Sequence, residues 1–398
     1  MGFIPSDLLT SQQVKHVVDP SLASDTGAGT LGNPYGDLQY ALDQVGLSGR
    51  DATVGDHFYI KGGTDEILAA PLSLATYGIP TVNAGLTFEG FTSVLGDGGQ
   101  GGISGNGSHT ILDAALTNSN AGIAFRNLHL HNCGAQAQVL RLPGSYSSVV
   151  GCEINDCDGI GIDSRSFQAI VDNNLYDLGG VAAIRNDAGS SSEEQMFVAY
   201  NYYRQTGSRS VTSAIDVGRY GYCYRNILSL GVGETGIRCN SATYWMHIRG
   251  NSILCNAAGT GQGIAGNQGS SISGSSVSIS GNLVEGFSGT GGDGIEVSEF
   301  GGIFDFSFNG VYNCTNPYLG VVNIPIHNVD NETLGASPFA KSGADTFANR
   351  HVYFAPANQG NVLAGYYGVW DKGAVQTLTT VSAHNWDLHH SSRALLTR

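Results

Sequence analysis

Charge is scarce in this chain and positive charge scarcer still: 13% of its 398 residues are charged, with 18 Lys and Arg against 33 Asp and Glu for a net charge of -15. So few cations cannot form the basic stripe that nucleic-acid phosphates require, and the acidic excess disfavours an anionic membrane surface. No run of about 18 apolar residues occurs, so no segment is offered for insertion into a membrane. The opening Met1-Gly2-Phe3-Ile4-Pro5-Ser6-Asp7 has neither the basic nor the apolar region of a general secretory signal, and export by that route is not expected. The seven cysteines, at 133, 152, 157, 223, 239, 255 and 314, contain no zinc-type pair of CxxC motifs. Most read as buried free thiols, with Cys133 and Cys157 at nearly equivalent places in successive repeats.

What the chain has in excess is glycine. Its 58 Gly are about twice the ordinary share and point to many tight turns. Glu and Lys, which favour helices, are few, and the composition reads as β-rich. Asparagine recurs at Asn127, Asn173, Asn201, Asn226, Asn251, Asn282 and Asn309, each after a short apolar alternation such as Val277-Ser278-Ile279-Ser280, with most steps 25 to 31 residues. Gly151 falls where an asparagine would complete the series. A period of that length signals a solenoid, and the alternation of two within each unit makes its elements strands.

Each unit reads as strand, asparagine, strand, Gly-rich loop and third strand. The third strand keeps its own register at Leu140-Arg141, Ile162-Asp163, Ile184-Arg185, Ile215-Asp216, Ile237-Arg238, Ile264-Ala265 and Ile295-Glu296, usually with a small residue before the aliphatic. Alternate side chains on a strand face opposite ways, so the aliphatics stack inward and their partners outward.

These units resemble the right-handed parallel β-helix of the pectate lyase and phage tailspike superfamily, over residues 57–330. The resemblance implies an all-β solenoid of about ten coils in which the asparagine takes a left-handed conformation and the amides stack coil on coil. Residues 1–56 are similar to a β-helix entry: Asp25-Thr26-Gly27 and Gly32-Asn33-Pro34-Tyr35 lead to a capping helix with Leu38, Ala41, Leu42 and Val45 on one face. Residues 331–376, with Ser337-Pro338-Phe339 and Asp371-Lys372-Gly373-Ala374-Val375-Gln376, resemble the closing segment of bacterial and phage-borne β-helix surface proteins. Residues 377–398, with His384, Trp386, His389 and His390, form a tail that reads as an arm on the last coil or as an attachment or oligomerisation segment.

The outward column Arg141, Asp163, Arg185, Asp216, Arg238, Ala265, Glu296 alternates in sign for five coils and reads two ways. As structure it is a cross-strand charge ladder. As chemistry, Asp163 and Asp216 lie two coils apart, about 9.6 Å, near the separation of an inverting glycosidase pair, with Glu296 as a further acid. Arg185 and Arg238 stand where β-helix lyases place a basic residue, and either can neutralise a uronate carboxylate. Calcium is the alternative counter-ion, with Asp156 and Asp158 beside Asp163 as one candidate set and Asp293, Glu296 and Glu299 as another; neither has a full set of ligands. No other cofactor is indicated.

Tyr200, Tyr202, Tyr203, Tyr220, Tyr222 and Tyr224 cluster in two consecutive coils. Core packing, a subunit contact and a glycan platform each suit such a cluster. The leading expectation is a structural or adhesive solenoid of a virion, phage tail or cell surface, self-associating as a trimer or meeting its neighbours through the tail, and touching glycans. The alternative is a polysaccharide-degrading enzyme, a lyase or inverting hydrolase, on the β-helix face.

Overall fold

The computed structural model describes residues 13–334, apart from residues 24, 50–53, 79–84, 114–121, 143–145, 165–167, 187–194, 219, 240–244, 267–275, 298–302, 308, 321–327 and 330–331. The expected closing segment from residue 335 onward, the tail 377–398 and Glu299 lie outside the described residues. Three sheets of 12, 11 and 9 strands wrap one core. In each sheet a strand pairs with its counterpart one repeat away, and every pairing between named strands is parallel, as where Gln168–Val171 joins Gln195–Ala199 and Ala182–Asn186 joins Ser213–Val217. The chain visits the sheets in rotation: Gln195–Ala199 in the first, Tyr202–Arg204 in the second, Ser213–Val217 in the third, then Tyr220–Tyr224 back in the first. Parallel crossovers of this kind are right-handed. The chain is a right-handed parallel β-helix.

The core is built from inward columns one residue deep. The first sheet contributes Phe88, Phe125, Val149 and Ile170; the second Leu130, Ile154, Leu175, Tyr203 and Leu228; the third Leu140, Ile162, Ile184, Ile215 and Ile237. The small residue before most third-sheet aliphatics has a steric reason. A Cβ added to Gly236 would meet Gly263 O at 2.4 Å, and one added to Gly263 would meet Gly294 O at 2.4 Å. Cys133 and Cys157 do meet one coil apart as free thiols; their shared hydrogen bond, reinforced by burial, holds the Cys133 thiol far above its ordinary pKa.

At the N-terminal end Val14–Val18 pairs with Asp56–Lys61 and opens the first sheet. The helix Leu38–Ser48 buries Leu38, Ala41, Leu42 and Val45, the face its sequence spacing predicts, and Asp37 caps it by accepting the Tyr40 N–H at 2.6 Å.

The asparagine turn corrects one expectation. The left-handed conformation belongs to Asn127 (φ 50°) but afterwards to the residue before each asparagine from Asn173 to Asn282: Asp172 (58°), Tyr200 (58°), Arg225 (52°), Gly250 (64°) and Gly281 (65°). Strand register puts Gly151 (φ 65°) in that slot and Cys152 in the asparagine slot. The asparagines from Asn173 on can therefore keep their side chains inside, where they form one continuous ladder. Asn201 Nδ2 donates to Asn226 Oδ1 at 3.0 Å and to Ile170 O at 2.9 Å, while Asn201 Oδ1 accepts from Asn173 Nδ2 at 2.9 Å and Asn173 N at 3.1 Å. The pattern repeats through Asn226, Asn251 and Asn282 to Asn309. A left-handed Tyr or Arg costs about 1 to 2 kcal/mol, a strain tolerated because the ladder beside it fixes the turn.

Candidate functional site

The third sheet carries the column of alternating charge, one rung longer than the sequence showed. Asp113, Arg141, Asp163, Arg185, Asp216 and Arg238 occupy successive paired positions. Arg185 donates from Nε to Asp163 Oδ1 at 3.1 Å and from Nη2 to Asp163 Oδ2 at 2.9 Å. Arg141 Nε approaches Asp163 Oδ2 at 3.8 Å, its Nη1 lies 3.7 Å from Asp113, and Arg238 Nη2 donates to Asp216. Asp163 is 3% exposed, so both oxygens of a nearly buried carboxylate are committed to guanidinium groups. A general acid must offer its proton to substrate; bidentate arginine pairing occupies both oxygens that would do so. Ala265 interrupts the column, and Glu296, one coil further, accepts from Gln262 Nε2.

The acidic loop residues surround a cation that the chain itself supplies. Arg209 donates from Nη1 to Asp156 Oδ1 at 2.7 Å and to Asp177 Oδ2 at 2.8 Å, and from Nε to Asp158. The hydrogen bond to Asp158 leads the causes that raise the pKa of Arg209. Asp293 accepts from Asn316 Nδ2 at 2.8 Å. Among the described residues, no three His, Cys, Asp or Glu side chains are gathered to hold a metal ion.

The tyrosines divide by strand parity. Tyr203 points into the core, and Tyr202 is fully shielded on the outside of the second sheet. Tyr200 lies edge-on to Tyr224 at 5.7 Å, and the Arg225 guanidinium sits 5.0 Å over the Tyr224 ring. Tyr220 pairs through its backbone with Gln195 and Trp245. Tyr222, 46% exposed, is the middle ring of an outward column on the first sheet. Phe197 lies 6.4 Å from it on one side and His247 4.9 Å on the other, stacked at 13°. Burial, then the neighbouring Arg249, lowers the pKa of His247, which favours the neutral ring. Beyond it Ser278 and Asp305 continue the column, and Arg249 donates to Ser278 Oγ at 3.0 Å. The arrangement is a column of rings ending in hydrogen-bonding groups.

Sequence reasoning passed over Glu234. It lies in the loop Gly231-Val232-Gly233-Glu234 on the wall of a cleft of about 600 Å³, with Gln205, Ser210, Thr212 and Asn256 among the lining residues. The buried carboxylate accepts from Tyr203 Oη at 2.9 Å, Val211 N at 2.9 Å and Gly231 N at 2.8 Å, and burial raises its pKa. It ties two loops to the second sheet. The sign in the sequence was the pair of glycines before an acid, a weak one in a chain this rich in glycine. His129 and His131 stack at 4.1 Å outside the second sheet, with His131 Nε2 3.0 Å from Asp65 and His129 Nε2 2.9 Å from Asn155.

No family model matches the chain, and no curated protein does. Among solved structures it is similar to the pectin methyl esterase of the rice weevil, at 13% identity and a TM-score of 0.30, over 80% of this chain and 92% of that one. A likeness that remote carries no argument about function. The fold assignment rests on the parallel pairing of the three sheets.

Proposed function

We propose that this β-helix is a non-catalytic structural or adhesive solenoid, of the kind carried by a virion or a cell surface, that contacts glycans through the outer face of its first sheet. The observation that carries this reading is the ring column Phe197, Tyr222 and His247. Rings 6.4 and 4.9 Å apart, with Tyr222 exposed at the centre, offer apolar area to sugar rings, and Tyr222 adds a hydroxyl. The polar groups of Arg249 and Asp305 at one end suit sugar hydroxyls.

The enzymatic alternative needs an acid free to exchange a proton. Asp163 is bound on both oxygens by Arg185, and Asp216 pairs with Arg238, which favours the ladder over the chemistry.

The test is binding and turnover on one panel of acidic and neutral polysaccharides, with and without added calcium. We expect retention of at least one glycan, a tenfold or greater loss of that binding in Tyr222→Ala, and unchanged binding in Asp163→Asn. Release of reducing ends, or of unsaturated products absorbing in the ultraviolet, that disappears in Asp163→Asn would overturn the non-catalytic reading. Glycan binding untouched by Tyr222→Ala would remove the ring column from it.

A further inference from the structure

The cleft beside Glu234 follows from unequal loop lengths in consecutive coils. Between the second and third sheets the chain takes eight residues at 205–212, four at 231–234 and six at 256–261. The short loop lies between two longer ones, so the stack has a notch there. Gly231-Val232-Gly233-Glu234 forms its floor, and Gln205, Ser210, Thr212 and Asn256 come from the loops on either side. At about 600 Å³ the notch falls within the range of small-molecule sites, roughly 300–1,000 Å³.

The floor is fixed before anything binds. Glu234 accepts from the Tyr203 hydroxyl, Val211 N and Gly231 N, and Thr260 N donates to Val232 O at 2.7 Å. A site held in this way does not have to be ordered by its ligand. Two kinds of ligand do not suit it. No Lys, Arg or His is among the lining residues, so nothing in the notch receives an anion. Glu234, the one ionisable lining residue, is 1% exposed and already has three donors, so a cation meets no carboxylate to pair with.

The groups the notch does offer are neutral. Gln205 commits its Nε2 to Gly207 O and Arg209 O, and Asn256 commits its Nδ2 to Ser229 Oγ at 2.6 Å. Both amide oxygens are left without a partner among the described residues, as are the hydroxyls of Ser210 and Thr212. Val232, 50% exposed, places a small apolar surface beside them. Open acceptors and hydroxyls next to an apolar patch match a ring that carries several O–H donors and shows C–H on its faces. We propose that this notch binds a neutral saccharide, at a site separate from the ring column of the first sheet. The amide oxygens accept the sugar hydroxyls, Ser210 and Thr212 exchange hydrogen bonds with them, and Val232 covers a C–H face. The site stands whether or not the ring column binds glycans.

The test is saturation-transfer NMR on the full-length chain. Its probes are neutral oligosaccharides of glucose, galactose, mannose and xylose, with oligogalacturonate and spermine as charged comparisons. A Cβ added at Gly233 meets nothing within 4 Å, so Gly233→Trp fills open space at the notch without entering the core. The double variant Ser210→Ala with Thr212→Val removes two of the open hydroxyls and serves as the second probe of the site should the tryptophan disturb folding. We expect at least one neutral oligosaccharide to bind and its affinity to fall tenfold or more in each variant. Affinity unchanged in both, as when the sugar sits elsewhere on the solenoid, would overturn the proposal. Binding of oligogalacturonate or spermine alone, or of no probe at all, would overturn it too.

Discussion

At the scale of single residues, Glu66 is the group most exposed to pH. Burial, with Asp37 nearby, pushes its pKa from 4.5 up to about 7 against the Leu38 N–H that it accepts at the start of the cap helix. The folded pKa lies above the unfolded one, so the ionised form is the one that folding penalises. Below pH 4.5 the group has no effect on stability, and stability falls as pH rises toward about 7. Glu66→Gln keeps an acceptor and removes the charge. It should leave stability unchanged at pH 4 and raise it at pH 8 by up to about 3 kcal/mol; calorimetry at the two pH values checks this, and an equal shift at both would remove the pH argument. Asp97 works in the opposite direction. Backbone donors from Ser93, Val94 and Gly99 hold its carboxyl well below the usual range, which organises the Gly-rich turn as a structural loop.

At the scale of elements, the asparagine ladder is where the largest single loss is expected. Asn226 accepts from Asn201 N and Nδ2 and donates to Val198 O and Asn251 Oδ1, all buried. Asn226→Ala removes four hydrogen bonds and strands their partners away from water, a cost on the order of 4 kcal/mol; Asn226→Asp, which sets an oxygen against the two acceptors and buries a charge, should lose at least as much in the same urea titration. The ladder also shows what a sequence can disclose. The strands, the inward aliphatics and the charge column were legible because a period of two fixes which side chains share a face, and the repeat fixes which strands stack. The left-handed slot was not, because Asp172, Tyr200 and Arg225 hold it against their intrinsic preference, and only the finished stack makes that conformation affordable. The Glu234 cleft was equally silent: loops of different lengths bring Gln205, Val211, Glu234 and Asn256 together with no periodicity to announce it.

At the scale of the whole molecule, a solenoid has neighbours in one dimension only, so stability varies along its axis. The coils joined by the ladder from Cys152 to Asn309 should show the slowest amide exchange, and the early second-sheet strands Asp65–Ile67 and Gly101–Ser104, outside it, faster exchange; equal rates along the axis would mean that the ladder adds no local rigidity. The ladder has a further property, a direction. From Asn173 to Asn282, each asparagine gives its backbone N–H and one side-chain N–H to the side-chain oxygen of the asparagine in the coil that follows and none to that of the asparagine before, while its second side-chain N–H returns to a backbone carbonyl of the preceding coil. A chain emerging from the ribosome and winding one coil at a time therefore carries at its growing front a pair of waiting donors, satisfied only when the next asparagine arrives. The order of synthesis and the polarity of the stack coincide, and each finished coil is the mould for the one still to be made.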